Sequence, residues 1–112
     1  MARTLSQVTA SKAPEPEPSV APEFSLTASP NPFNPQAELR FSLPRTSRVD
    51  MTVYDLRGAV VRRWARTEYP AGQHVVVWRG DDQRGHGVPS GVYFARLQAM
   101  GQTLTERLVL VR

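Results

Sequence analysis

The sequence predicts an all-β fold, a sandwich of seven short antiparallel strands behind an extended linker. Three observations carry it: apolar and polar residues alternate with a period of two from Phe24 onward, turn residues recur every ~8 to 12 residues, and no segment has sustained helical periodicity. At 112 residues the chain has room for one small domain and a tail. Two sheets packed about 10 Å apart are the most economical core at this length.

Residues 1 to 23 are rich in Ser, Thr, Ala, Pro and Glu, and Pro14-Glu15-Pro16-Glu17-Pro18 alternates proline with carboxylate. Alternating proline favours an extended path and the carboxylates repel one another, so this part reads as a disordered linker with little to bury. The domain is expected over residues 24 to 112. A short first strand covers Phe24 to Ala28. In the second, Ala37, Leu39, Phe41 and Leu43 share one face, and Pro44 ends the ladder because it has no N–H to donate. Val49, Met51 and Val53 face one way in the third, which runs into Asp55-Leu56-Arg57-Gly58, a turn with glycine at a position suited to positive φ.

The fourth strand is read as one piece over residues 59 to 68, with Val60, Val61 and Trp64 as its apolar residues. Pro70-Ala71-Gly72 turns the chain into the most β-branched strand, Gln73 to Trp78, which gives way to the polar loop Gly80 to Gly87. Val92 to Leu97 forms the sixth strand. After a hairpin at Met100-Gly101-Gln102, residues 103 to 111 form the last, with Leu104, Leu108 and Leu110 on its apolar face. Leu39, Phe41, Val53, Trp78, Tyr93 and Leu108 are the expected core. No internal repeat is evident.

The chemistry available is narrow. The chain has no cysteine, which excludes disulfides, thiolate metal sites and thiol nucleophiles. Its charge of +4 comes almost entirely from arginine, dispersed rather than clustered on one helix or face, which argues for solubility and against a nucleic-acid partner. No apolar run approaches the ~18 residues of a transmembrane segment, and Met1 to Val8 lacks the h-region of a secretory signal.

His74, mid-strand, reads as a packing residue. His86 shares its loop with Asp81 and Asp82, but a hard cation needs several converging oxygens, and aspartates capping backbone amides explain the loop equally well. Gly85-His86-Gly87 has no following helix and Ser90 sits in no nucleophile elbow. Trp64, Trp78, Tyr54, Tyr69 and Tyr93 could form a binding platform, but some are needed to fill the core. No catalytic residue, metal site or cofactor is therefore assigned, and the chain is expected not to be an enzyme.

The order Asn31-Pro32-Phe33-Asn34-Pro35, Tyr54-Asp55-Leu56-Arg57-Gly58, Gly72-Gln73-His74, Trp78-Arg79-Gly80 and Ser90-Gly91-Val92-Tyr93-Phe94 is distinctive. It resembles the C-terminal sorting domains of type IX secretion cargo, and with them the Ig-like domain of the flagellar hook-capping protein, FlgD. The departures are Arg79, where that pattern usually has Asp, and Ala59, where a basic or polar residue often follows the glycine. The resemblance implies an Ig-like sandwich that serves as an address on a larger secreted or cell-surface protein. Its partners would be the outer-membrane secretion and attachment machinery and an upstream cargo domain in the same polypeptide, of which this chain would be a C-terminal fragment.

Within that reading, Arg107 and Arg112 on the segment Thr103 to Arg112 are the candidate recognition residues, because a strand at a sheet edge offers unpaired backbone groups to a receptor. The plain alternative is that this strand merely completes the core. Two other roles compete: a flagellar assembly scaffold, and a surface module that contacts protein or glycan through residues 31 to 35 and 80 to 87.

Overall fold

The computed structural model describes residues 23–112, so the linker expected over residues 1 to 23 lies, apart from Glu23, outside the described residues. The strands are β1 Ser25–Ser29, β2 Ala37–Leu43, β3 Ser47–Asp55, β4 Val60–Arg63, β5 Thr67–Tyr69, β6 Gly72–Trp78, β7 Gly91–Ala99 and β8 Gln102–Leu110. One sheet has the order β1-β2-β6. The other runs β4-β3-β7-β8, with β5 also paired to β3. Among the described residues every pairing between two of these strands is antiparallel.

Among the described residues the strand count is eight, not seven. The expected fourth strand is two, both lying along the same edge of β3. Thr52 pairs with Arg63 and Val49 with Thr67, so two residues of β3 face three, Trp64, Ala65 and Arg66. One surplus residue breaks the ladder, as a bulge does. A second irregularity places Val61 between partners that are adjacent on β3. A single-residue insertion reverses the alternation beyond it, but β4 and β5 have no fully buried residue to mark a face, so the reversal does not show and the pattern reads as one strand.

Inside, the alternation holds. The inward face of β2 (Ala37, Leu39, Phe41, Leu43) packs across the core against the sheet of β3 (Val49, Met51, Val53), β7 and β8, and these seven residues are buried. The six expected core residues are each at most 6% exposed. Fully burying such a side chain contributes about 1.5–3 kcal/mol before entropy is charged. Trp78 is the hub at one end, 5.4 Å from the Phe33 ring and 5.3 Å from that of Tyr93, while its indole N–H donates to the carbonyl of Asp81 at 2.8 Å. At the other end Phe41 meets Tyr69 edge-on at 5.2 Å.

The register separates two ends of the sandwich. The loop end gathers the β3–β4 turn, the long β6–β7 loop, the Asn31–Pro35 strap and Arg112. The hairpin end carries the β2–β3 turn, the β5–β6 turn and the β7–β8 hairpin, whose central Met100 and Gly101 both have positive φ (55° and 70°), as the twist of a two-residue hairpin requires.

Candidate functional site

The strap is where sequence motif becomes geometry. Phe33 forms an isolated parallel bridge with Leu110, donating its N–H to Val109 and accepting from Val111, both at 2.9 Å. Two residues earlier the Asn31 side chain imitates a strand: its amide donates to the Arg107 carbonyl at 2.7 Å and its oxygen accepts from the Val109 N–H at 3.0 Å. The outer edge of β8 is thus laced shut from Arg107 to Val111. An open terminal edge for strand addition, the physical basis for recognition at Thr103 to Arg112, is not present over that half.

Arg112 is drawn into the same end. Its Nε–H donates to the Val88 carbonyl at 2.6 Å, a terminal N–H donates to the Gly80 carbonyl, and its backbone N–H reaches the Ser90 hydroxyl at 2.9 Å. The guanidinium clasps both limbs of the β6–β7 loop. Gly80, the glycine of the W-x-G motif, is required by this clasp: at φ +66°, a Cβ would lie 3.0 Å from the Pro35 carbonyl oxygen and 2.9 Å from the guanidinium.

The loop itself is a copy of another turn. Asp82 Oδ1 accepts from the N–H of Arg84 and of His86, both at 2.9 Å, and Asp55 Oδ1 accepts from the N–H of Arg57 and of Ala59 at the same distance. In each case the glycine donates to the aspartate carbonyl at 3.0 Å, and its φ is +86° or +87°. The shared signature is Asp-x-Arg-Gly. Four residues are too short to register as an internal repeat, and the two copies of D-x-R-G are the signal that the sequence carries. Hydrogen bonds from the Ala59 amide to Asp55 and the His86 amide to Asp82 hold both carboxyls below the usual range.

These bonds also account for the one loop with metal-like composition. Asp82 is occupied by backbone amides, Asp81 pairs with Arg62 at 3.1 Å, and His86 is exposed. Among the described residues no three His, Cys, Asp or Glu side chains group around a cation position. The loop is anchored to β4 by Arg62, which also lies 5.3 Å over the Trp64 ring, and by Gln83, which accepts the Arg63 N–H at 2.8 Å. His74 packs 4.9 Å from the Tyr69 ring and donates to the Pro70 carbonyl at 2.8 Å. Burial, with Asp55 nearby, pushes the Tyr93 phenol upward, and its hydroxyl donates to the Pro89 carbonyl at 2.6 Å.

Arg107 lies elsewhere. It is exposed on the outward face of the five-stranded sheet, the cross-strand partner of half-buried Phe94, which in turn pairs with Tyr54. Arg96 lies 4.5 Å over the Tyr54 ring and donates to its hydroxyl. The structure therefore separates the two candidate recognition residues: Arg112, though exposed, is bonded to the loop end, and Arg107 joins an aromatic and guanidinium checkerboard with Tyr54, Phe94 and Arg96. The outward residues are even-numbered in β3 and β7 and odd-numbered in β8, and the aromatic content of that face became meaningful only through register.

The motif residues tie one end of an Ig-like sandwich together without covalent cross-links, and its outer face carries aromatic and arginine side chains. The FlgD Ig-like domain family matches residues 28–102, and the chain belongs to that family. None of the curated proteins matches it. Among solved structures it is similar to dimeric latent PorU from Porphyromonas gingivalis, with 17% identity and a TM-score of 0.64 over 77% of this chain and 9% of that one. It is also similar to PorZ of the same organism, described as an essential bacterial surface component of the type IX secretion system, with 21% identity and a TM-score of 0.52 over 78% of this chain and 11% of that one. FlgD from P. aeruginosa is 29% identical, with a TM-score of 0.49 over 66% of this chain and 58% of that one. The chain thus spans about a tenth of PorU and PorZ. Among the described residues no helix is long and apolar enough to cross a membrane.

Proposed function

We propose that this domain is a non-catalytic sorting and anchoring module of a larger secreted or cell-surface protein, recognised by type IX secretion machinery. The observation that supports the reading is the recurrence of the sandwich, within a family-matched sequence, in a bacterial surface component of that secretion system. In this reading Arg107 and its aromatic neighbours present the recognition surface, and Arg112 acts indirectly by holding the loop end in shape. No catalytic role is assigned to any residue. Both carboxylates beside His86 are engaged in structural bonds, which leaves that histidine without a poised partner.

The test is export. A reporter placed between a signal peptide and the full chain should appear outside a type IX-competent host and be retained when the chain is removed. Arg107→Ala should reduce export of a domain whose circular dichroism is unchanged; undiminished export would remove Arg107 from the recognition surface, and retention of the parent fusion would defeat the sorting role. A second reading, a flagellar hook-capping scaffold, is favoured by the family match over residues 28–102. It predicts association of the chain with hook assemblies and no export of the reporter.

A further inference from the structure

We infer that the hairpin end carries a second interaction surface, a groove for an extended acidic peptide segment. Arg45 from the β2–β3 turn, Arg48 from β3 and Arg66 from the break between β4 and β5 all line one groove of about 570 Å³. That volume lies within the ~300–1,000 Å³ of ordinary ligand clefts. Ser47, Gln98 and Gln102 add polar groups, and Ala99 and Met100 supply apolar surface. The lining contains no aspartate or glutamate, and among the described residues none of the three guanidiniums has a carboxylate within 4.0 Å.

The arginines with structural work elsewhere are visibly occupied: Arg57 by Asp55, Arg62 by Asp81, Arg96 by Tyr54 and Arg112 by backbone carbonyls. Three separate elements instead deliver guanidiniums with no carboxylate within 4.0 Å to one concavity, Glu68, the cross-strand partner of Arg48, being outside its lining. Its complement is a ligand with several negative groups.

The chemistry of the lining selects among such ligands. The three arginines are all exposed, so each pair formed with an anion is worth little by itself, and a single small anion gains too few of them. No aromatic side chain lines the groove to stack a base, which disfavours single-stranded nucleic acid. A peptide with carboxylates distributed along an extended backbone can engage the three guanidiniums together, with the amide and hydroxyl groups of the walls available to its main chain and the Ala99–Met100 surface to its methylenes.

The experiment uses the full chain and a fluorescent twelve-residue peptide of alternating Glu and Ser, followed by anisotropy at low salt. The expected result is saturable binding that weakens at least tenfold in R45E/R48E/R66E and severalfold in the milder R45Q/R48Q/R66Q. A charge-matched control, R63E/R79E/R84E, alters exposed arginines near the loop end and should leave affinity within twofold. Equal losses in the two reversal triples would reduce the effect to net charge and overturn the site, as would absence of binding. Tighter binding of a charge-matched single-stranded oligonucleotide, or displacement of the peptide by equimolar inorganic phosphate, would overturn the ligand class. A threefold or larger gain in peptide affinity on E15Q/E17Q would identify the chain's own acidic segment as the occupant and overturn the partner assignment.

Discussion

The two ends of this sandwich are built on opposite principles. At the loop end, connections are long and polar backbone is abundant, so side chains are spent on satisfying it: Asn31 mimics a strand, Asp55 and Asp82 cap turns, Trp78 and Tyr93 donate to carbonyls, and Arg112 clasps a loop. At the hairpin end, connections are short, fewer side chains are taken up by the backbone (His74 on the Pro70 carbonyl, Ser47 on that of Arg45), and arginines are left over. Where tight turns satisfy the backbone, surface chemistry is free for binding; where loops are long, the same residue types become structure.

That contrast can be broken experimentally. Phe33→Ala should have the largest effect, about 3–5 kcal/mol, because it empties a fully buried site against Trp78 and Leu110, and chemical denaturation of the full chain would report it. A loss below 1 kcal/mol would mean that the strap is an ornament rather than part of the core. Gly80→Ala should cost about 2 kcal/mol, since its left-handed backbone alone penalises a Cβ by about 1–2 kcal/mol and the Pro35 carbonyl crowds the new atom. Gly101→Ala, also at positive φ but with nothing within 4 Å, should cost less, so the difference between them measures the crowding at the loop end.

Arg112→Ala follows at about 1–2 kcal/mol through two lost charge-assisted bonds, with Arg112→Lys partly restoring stability. Arg107→Ala should stay within about 0.5 kcal/mol, as for an exposed residue with no recorded side-chain partner. Finding the two arginines equivalent in thermal melts would erase the distinction between clasp and surface.

The smallest effect is the pH response of the paired turns. Both aspartates have depressed folded-state values, so each contributes stability that is complete above the ordinary carboxylate range and is lost as pH falls through the lower, folded value. Melting temperature should therefore decline on acidification below about pH 4, and Asp82→Asn should flatten the decline while keeping an acceptor oxygen. Carboxyl carbon shifts in an NMR titration should place both Asp55 and Asp82 below the ordinary aspartate range.

Much of this was readable beforehand, for a physical reason. Burial of one face per strand forces period-two alternation, so Leu39, Phe41, Val53 and Leu108 announced their side of the sheet, and Pro44 and Gly58 announced the turns. The motif order around Trp78 and Tyr93 likewise pointed to the family that the match over residues 28–102 establishes. The break at Trp64 to Arg66 was hidden because β4 and β5 bury no full face whose alternation an inserted residue would visibly reverse.

The sequence by itself determined the fold class, the inward faces and the absence of thiol chemistry, because composition and periodicity are local properties that any folded form must obey. Only the tertiary structure decided what the polar residues do. Arg107 and Arg112 look alike in the chain, yet one faces outward beside Phe94 and the other bonds Val88 and Gly80, 24 and 32 residues away. Hydrogen bonds of that range depend on which loops the register brings together, and no local pattern encodes them.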